Sequence, residues 1–230
     1  MEGLLYKNIP AFTSYRGDCI RTAMLSALHT LEPGNPVTLK HLRNMLHGTP
    51  GTGINEACVL FNLIGLNTVA YASSFERVPP LPSFISRDME QELYRKEQAT
   101  LTASDIKTLM RDHLVIPCVE VSQCYPGGME VGHAFILTGF TQKHFVYHET
   151  IWPAANRPAA TPNSVMELSR FERGHAAHDH HTLVIGHKTA DFLTNLETLK
   201  EQAEAMMALR RSSASSCVNQ QHRNATAEPA

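Results

Sequence analysis

The hydrophobic pattern of the chain changes its period part-way along. From Cys19 onward the apolar residues recur at helical spacing, and patterns of this kind continue to about residue 112, interrupted by a short predicted strand at 67–72. Beyond residue 112, short apolar runs such as "LVIPCVEVS", "HAFILTGF" and "FVYHET" are bounded by turn residues, which is typical of strands. The segment "SVMELSRFERG" at 164–174 predicts a helix, and "HTLVIGH" at 181–187 predicts a last strand. Helices that precede antiparallel strands predict an α+β fold, with N-terminal helices packed on a C-terminal antiparallel sheet, and not a doubly wound sheet.

The C-terminal part predicts a helix followed by a tail. A helix over 189–211 places Phe192, Leu196 and Leu199 on one face, together with Ala203 and Met206. The segment 212–230 is polar and rich in small residues, which is typical of disorder. With 230 residues and a hydrophobic fraction of 43%, the chain is long enough for one sizeable core. We therefore expect one domain at 1–211 and a disordered tail at 212–230.

Composition excludes several classes of protein. The net charge of -2 gives no reason to expect a nucleic-acid partner. No apolar run reaches the length of about 18 residues that spanning a membrane requires, so no membrane partner is expected. The start, "MEGLLYKNIPAF", lacks the features of a Sec signal peptide. The five cysteines, an odd number without CxxC spacing, argue against a disulfide framework and favour a cytoplasmic, reducing compartment, bacterial or host. Secretion without a cleaved signal stays open.

One cysteine stands at a chemically favourable position. In "YRGDCIRTAMLSALHTL", Cys19 lies at the first turn of a predicted helix, with Asp18 as its predicted N-cap. A helix N-terminus lowers a thiol pKa, and its free N–H groups can bind the oxyanion of an acyl intermediate. Cys19 is therefore a candidate nucleophile. The alternative is a half-buried small hydrophobic residue without reactivity.

The strand region supplies a histidine and an acid for this thiol. His133 follows a glycine-rich turn, and Glu149 lies sixteen positions later at the end of the next strand. A tight turn at 141–144 would bring the two strands side by side, so the carboxylate could reach the His133 ring. A thiolate nucleophile needs a histidine, and that histidine needs an orienting group. The neighbouring His148 should face the other side of the strand and is the alternative at this position.

Four segments carry a resemblance to a known family: "GDCIRTAMLSAL", "TLKHLRNML…GTGINEACVLFNLIGLNTVAY", "ASDIKTLMRDHLVIPCVEV" and "GHAFILTGFTQKHFVYHET". In order and spacing, from residue 9 to about 187, they resemble the bacteriocin-processing (double-glycine leader) cysteine peptidase-like family. The resemblance implies a papain-like fold in a stand-alone member without a transporter. It also implies Cys19 as nucleophile, His133 as general base and Glu149 as the orienting acid, with no cofactor and a peptide or amide substrate.

The chain departs from the family pattern at three places. Ile20 stands where the family has Gly, and Glu149-Thr150 replaces an Asp-Pro pair. The Gln that donates to the oxyanion in the family is replaced by Thr13, with Ser14 beside it. Losing one oxyanion donor costs about 10²–10³ in rate. Either Ser14, Thr13 or backbone N–H groups take over this role, or the reaction is easier than peptide hydrolysis, or the site is inactive.

Three functions remain for comparison with the structure. The first is a papain-like cysteine hydrolase or acyl-transfer enzyme that forms an acyl-thioester through a Cys-His-acid triad. The alternative is a catalytically impaired papain-fold module that binds peptides. A third is metal binding by His178, His180 and His181, but adjacent ligands on an exposed turn rarely form a closed site, so no metal is expected. The sequence specifies neither the substrate nor the oligomeric state.

Overall fold

The computed structural model describes residues 5–12, 17–46, 52–81, 85–149 and 162–225, with the backbone alone described for residues 5, 6 and 210–225. Its helices are α1 (Cys19–Leu31), α2 (Leu39–Met45), α3 (Ile54–Leu63), α4 (Arg87–Leu93), α5 (Ala103–Leu109), α6 (Val121–Cys124), α7 (Leu168–Ala177) and α8 (Phe192–Ala225). Its strands are β1 (Leu5–Tyr6), β2 (Leu66–Ala72), β3 (Lys96–Gln98), β4 (Leu114–Glu120), β5 (Gly132–Ala134), β6 (Ile136–Phe140), β7 (His144–His148), β8 (Ser164–Glu167) and β9 (Thr182–Lys188).

The strands form two sheets within the described ranges. One has the order β1-β6-β7-β8 and the other the order β3-β2-β9-β4-β5. All pairs are antiparallel except β2 with β3, which is parallel. The α+β class is confirmed. The structure adds a second sheet to the expected one, and the larger sheet takes two strands from the first half of the chain.

Helix α1 is the central helix. Every residue from Ile20 to Leu28 is buried, and Ala23, Met24 and Ala27 are inaccessible to solvent. Small side chains let the neighbouring elements approach closely, and a helix that is apolar on most sides is stable only when it is surrounded. The position of the α1 N-terminus is therefore fixed by packing along the rest of the helix.

Strand β4 separates two hydrophobic clusters. Its alternating residues face opposite sides: Leu114 and Ile116 join the cluster around α1 and α3, whereas Val115 and Val119 join a cluster rich in aromatic residues. That second cluster includes Phe171 of α7. Both faces of β4 are covered, which explains why "LVIPCVE" is almost continuously apolar.

The run predicted as a single strand at 133–140 is divided between the two sheets. β5 pairs with β4 in the larger sheet, and after Phe135 the chain continues as β6, which pairs with β7 in the smaller sheet. In the hairpin, Ile136 lies opposite His148. The chain thus leaves the larger sheet near His133 and returns to the same region at Glu149.

Two local predictions need correction. Residues 164–174 were predicted to be helical, but they begin as strand β8, in which Met166 is buried and Val165 exposed, and become α7 only at Leu168. The helix predicted over 189–211 starts at Phe192 and continues to Ala225.

The extension has a simple cause, because residues 187–228 contain neither glycine nor proline to end a helix. A helical backbone does not by itself dock this segment on the domain, so the boundary at residue 211 stays a prediction. None of the helices in the described ranges combines the length and apolar character that crossing a bilayer requires.

Candidate active site

Cys19 is the first residue of α1 and is half-buried. Its thiol borders a cavity of about 270 Å³ that His133 also lines. The cavity lies against the N-terminal end of a fixed helix, where backbone N–H groups have no partner one turn earlier. The first helical hydrogen bond is donated by Thr22 N to Asp18 O at 2.8 Å, so the N–H groups before Thr22 are those without a helical acceptor.

Cys19, His133 and Glu149 lie in one hydrogen-bonded row. His133 hydrogen-bonds Cys19, and its Nε2 lies 2.6 Å from Oε1 of Glu149. An ionised carboxylate only accepts, so Nε2 carries the proton and donates it. Because Nε2 is occupied in this way, Nδ1 is the ring nitrogen left to face the thiol. The structure therefore brings together the three side chains that the sequence suggested.

The environment favours the charged forms of the thiol and the imidazole. Burial alone would raise the pKa of Cys19, but the hydrogen bond and charge of His133 outweigh it, so the pKa lies below its ordinary value. Burial would likewise lower the pKa of His133, yet its bonds to Cys19 and Glu149 raise it above the ordinary value. Both shifts support a thiolate–imidazolium pair.

The other described cysteines have the opposite behaviour. Burial raises the pKa of Cys58 to about 12 and that of Cys124 to about 11, and it also raises the pKa of Cys118. All three are buried. Among the four cysteines whose side chains the structure describes, Cys19 alone combines access to a cavity with a lowered pKa.

Two tyrosines that the sequence analysis missed extend the row. The hydroxyl of Tyr125 lies 2.9 Å from Oε2 of Glu149, and the hydroxyls of Tyr125 and Tyr147 are 2.6 Å apart. Tyr147 could have been found, since it precedes Glu149 by two positions and alternation puts both on one side of the strand. Tyr125 follows α6, and nothing local in its sequence links it to Glu149.

His148 points away from this row. Its Nδ1 accepts a hydrogen bond from the backbone N of Asn163 at 3.2 Å, so Nε2 carries the proton and donates to the carbonyl of Ile9 at 2.5 Å. Burial lowers its pKa, which favours the neutral ring. His148 thus ties the N-terminal segment to the hairpin, and it makes no contact with His133 among the bonds of the described residues.

Asp18 occupies the N-cap position, but its side chain does not cap the helix, which corrects the prediction. Oδ1 accepts from Nη1 of Arg21 at 2.7 Å, and Oδ2 accepts from Nε of Arg43 at 2.8 Å. Charge-assisted bonds to guanidinium groups are stronger than a bond to a backbone N–H. Burial would raise the pKa of Asp18, but the two arginines lower it. Its negative charge is thereby compensated and does not oppose a thiolate at Cys19.

The structure does not describe the two side chains proposed as oxyanion donors. Thr13 and Ser14 are outside the described residues, as is Thr150, so their roles stay predictions. Ile20, the residue found in place of Gly, directs its backbone N–H to the sulfur of Cys19. Ile20 is buried, belongs to the core cluster around α1 and also lines the cavity.

Three other segments wall the cavity. They are the N-terminal end of α3 with Thr52 and Gly53, the loop at 77–79, and the turn between α7 and β9 with His178, Asp179 and His181. Gly132 packs directly on the His178 ring, where a Cβ would lie 2.5 Å from Cε1. A larger residue here would push that ring and disturb the strand that carries His133.

The histidines of this turn do not form a metal site. Their rings pair in twos, with centroids 5.0 Å apart for His175 and His180 and 5.1 Å apart for His178 and His181. In the described part of the chain, no three potential ligands are arranged to hold a metal ion. Nε2 of His175 bonds the Thr182 hydroxyl and Nε2 of His181 the carbonyl of Ser74. These nitrogens are engaged in the fold itself.

Comparison with known proteins bears on the fold. No family model matches the chain, and no curated protein matches it at a significant level. A solved structure does match: a crystal structure described as a "putative C39-like peptidase" from Bacillus anthracis. The two share a TM-score of 0.51 and 12% sequence identity, and the match covers 82% of this chain and 100% of that chain. The described chain thus has the papain-like α+β fold of a C39-like peptidase.

Proposed function

We propose that the chain is a papain-like cysteine hydrolase or acyl-transfer enzyme that acts on a peptide or amide bond. One observation carries the proposal: a thiol of lowered pKa opens on a cavity and is paired with a histidine that a carboxylate orients. Perturbed pKa values in a cleft are typical of catalytic groups. The peptide substrate is suggested by the fold likeness.

The proposed reaction has two stages. The Cys19 thiolate attacks the carbonyl carbon, a C–S bond forms, and the carbonyl electron pair moves to oxygen. The tetrahedral species collapses, the C–N bond breaks, and the His133 imidazolium gives its proton to the leaving amine. Water or an acceptor amine then attacks the carbonyl carbon of the thioester, and neutral His133 takes a proton from this nucleophile. The second tetrahedral species collapses, the C–S bond breaks and its electron pair returns to the sulfur. The acyl product leaves, and the Cys19 thiolate and the His133 imidazolium, which keeps the proton it took, form again.

Glu149 would act through His133. It fixes the ring so that Nδ1 faces the sulfur, and it stabilises the imidazolium without taking its proton. For the oxyanion, three donors stay as proposals: Ser14, Thr13, and the backbone N–H groups that precede Thr22 at the start of α1.

The cavity favours a short stretch of substrate. Its volume of about 270 Å³ is near the lower end of ligand pockets, which measure about 300–1,000 Å³. Its walls combine apolar groups such as Ile54 and Val78 with the backbone of Gly53.

A peptide library tests the proposal. The library is incubated with wild type, Cys19→Ala or Cys118→Ala, and mass spectrometry counts the new peptide termini. Cys118→Ala is the matched control, because the buried Cys118 thiol lines the same cavity. We expect new termini with wild type and Cys118→Ala and none with Cys19→Ala. Added hydroxylamine should yield hydroxamates if a thioester forms. Peptide binding without cleavage or hydroxamate by wild type would instead support the peptide-binding module and overturn the enzyme.

A further inference from the structure

Glu149 is held at both of its carboxylate oxygens. Oε1 lies 2.6 Å from Nε2 of His133, and Oε2 lies 2.9 Å from the hydroxyl of Tyr125. The side chain is 16% exposed. A glutamate has one more rotatable bond than an aspartate, so it needs more restraint to keep a carboxylate in one place. Tyr125 supplies this restraint on the side away from the histidine.

The direction of each proton in the row is set by the chemistry of its members. An ionised carboxylate cannot donate, so the Tyr125 hydroxyl donates to Glu149. The Tyr125 oxygen is then the acceptor in its bond with Tyr147, whose hydroxyl lies at 2.6 Å and must donate. Burial and the Glu149 charge raise the pKa of Tyr125, so this hydroxyl keeps its proton. A Tyr147–Tyr125–Glu149–His133–Cys19 row results.

The backbone around Tyr125 is built to hold this position. The N–H of Tyr125 donates to Val121 O, and the N–H of Gly128 donates back to Tyr125 O, both at 2.9 Å. Gly127 has φ +70, and a Cβ at Gly128 would lie 2.6 Å from Val121 O. The tight turn after α6 therefore requires both glycines, and it points Tyr125 toward β7.

We propose that Tyr125 is a positioning residue that holds Glu149 against His133, and that Tyr147 fixes the direction of the Tyr125 hydroxyl. The inference rests on the proposed function and deepens it. Without the Tyr125 hydroxyl, the carboxylate loses an anchor and samples other rotamers. The imidazolium then loses its partner for part of the time, and the thiolate fraction of Cys19 falls.

Other titratable groups surround the row. Cys124 of α6 interacts with Glu149, and Glu120 at the end of β4 and Arg173 of α7 act on Cys124. Cys118 of β4 interacts with Cys19. Burial raises the pKa of Cys124 to about 11. Like Cys58 and Cys118, whose pKa values burial also raises, that thiol stays protonated where Cys19 titrates. All titrations are done with Cys217 replaced by Ser, so that the thiolate absorbance reports Cys19.

The test is the pH titration of thiolate absorbance at about 240 nm. Tyr125→Phe should raise the Cys19 midpoint by roughly 0.5–1 pH unit, the size that corresponds to one lost hydrogen bond. Tyr147→Phe should raise it less. Tyr94→Phe is the matched control, because the buried Tyr94 hydroxyl has no hydrogen-bond partner among the described residues, and it should leave the midpoint unchanged. An unchanged or lowered midpoint in a folded Tyr125→Phe overturns the proposal.

A double variant separates positioning from a general structural effect. In a Glu149→Gln background, Tyr125→Phe should add no further shift, because Tyr125 acts through the carboxylate; the same shift in both backgrounds overturns the proposal. Should Tyr125→Phe fail to fold, Tyr147→Phe decides, since a raised midpoint supports the row and an unchanged one overturns it.

The titration needs no substrate, so two failures can be told apart. A wild type with a depressed Cys19 midpoint that cleaves no peptide overturns the hydrolase and leaves the positioning role standing. A wild type with an ordinary midpoint overturns both.

Discussion

At the scale of single residues, environment decides what a cysteine can do. Cys19 and Cys118 line the same cavity, yet burial raises the pKa of Cys118 while His133 lowers that of Cys19. The difference comes from a hydrogen bond and a charge, because both thiols are removed from bulk water. A residue's place beside a helix end and a cation therefore predicts its reactivity better than its burial does.

Alkylation kinetics test this difference. At about pH 6, iodoacetamide should modify Cys19 at least about 10-fold faster than Cys58 or Cys118, because the thiolate is the reacting form. The alkylation rate of Cys19 should increase as the pH rises through the lowered pKa of this thiol. Peptide mass spectrometry over time gives each rate, and His133→Ala should remove the advantage. Equal rates at the three thiols would count against an activated Cys19.

The acid position gives a second residue-scale prediction. Glu149→Gln keeps the size and removes the charge, so it should lower the pKa of His133 and raise that of Cys19. Turnover should fall by roughly 10–10⁴-fold, the upper end matching the equivalent change in a Ser-His-Asp triad.

His148→Ala is the contrast, because the ring binds Ile9 O and faces away from the row. This variant should lower the melting temperature and leave the midpoint of the Cys19 titration unchanged. If His148→Ala shifts the Cys19 titration and Glu149→Gln does not, the assignment of Glu149 as the acid is wrong.

The sequence could predict the site where local signals were sufficient. Cys19 follows a helix-start pattern, and the distance from His133 to Glu149 is set by a short hairpin. Tyr125 and Arg43 could not be predicted, because each meets its partner only after distant segments pack, 24 and 25 positions apart. The same holds for Asp18, where capping is a local expectation that a tertiary ion pair overrides.

At the scale of elements, an ion pair fixes the start of α1. Asp18 is 5% exposed and joins Arg21 of its own helix to Arg43 of α2. Arg21 also donates to Leu46 O at 2.8 Å. The pair therefore sets where Cys19 lies relative to the cavity. The strands predicted at 67–72 and 181–187 agree to within one residue with β2 and β9. The prediction was wrong in β8, where four residues are too few for a period.

Asp18→Asn tests the anchor. Breaking a buried ion pair leaves Arg21 uncompensated and should cost about 3–5 kcal/mol of unfolding free energy. Because the folded pKa of Asp18 lies below its ordinary 3.8, the contribution is fully present above about that pH and lost as pH falls through the folded value. Thermal melts from about pH 7 to about pH 2 should show the wild-type advantage shrinking only below about pH 4.

The partly exposed Arg43 provides the control. Arg43→Met should cost less, because Arg21 still pairs with Asp18. Equal melting temperatures for Asp18→Asn and wild type at neutral pH would contradict the anchor.

At the scale of the whole molecule, the domain is closed by the first part of α8. Phe192, Leu196 and Leu199 are buried in the cluster around α1, and Ala203 is buried as well, as their spacing predicted. The apolar face then loses cover, and Leu209 is 67% exposed. The first turns of α8 are thus enough to cover this side of the core.

Deleting residues 212–230 should therefore leave both the melting temperature and the rate of Cys19 alkylation unchanged. The segment is polar and rich in small residues, so burying it gains too little to offset the entropy of ordering it, and short isolated helices are marginal in water. Leu199→Ala is the matched control in the docked part, and it should cost about 2–5 kcal/mol because it opens a cavity beneath a side chain 2% exposed. Differential scanning fluorimetry measures the melting temperatures of the wild type, the deletion and Leu199→Ala. A drop of several degrees on deletion would mean that the tail packs on the domain and that the boundary at 211 is misplaced.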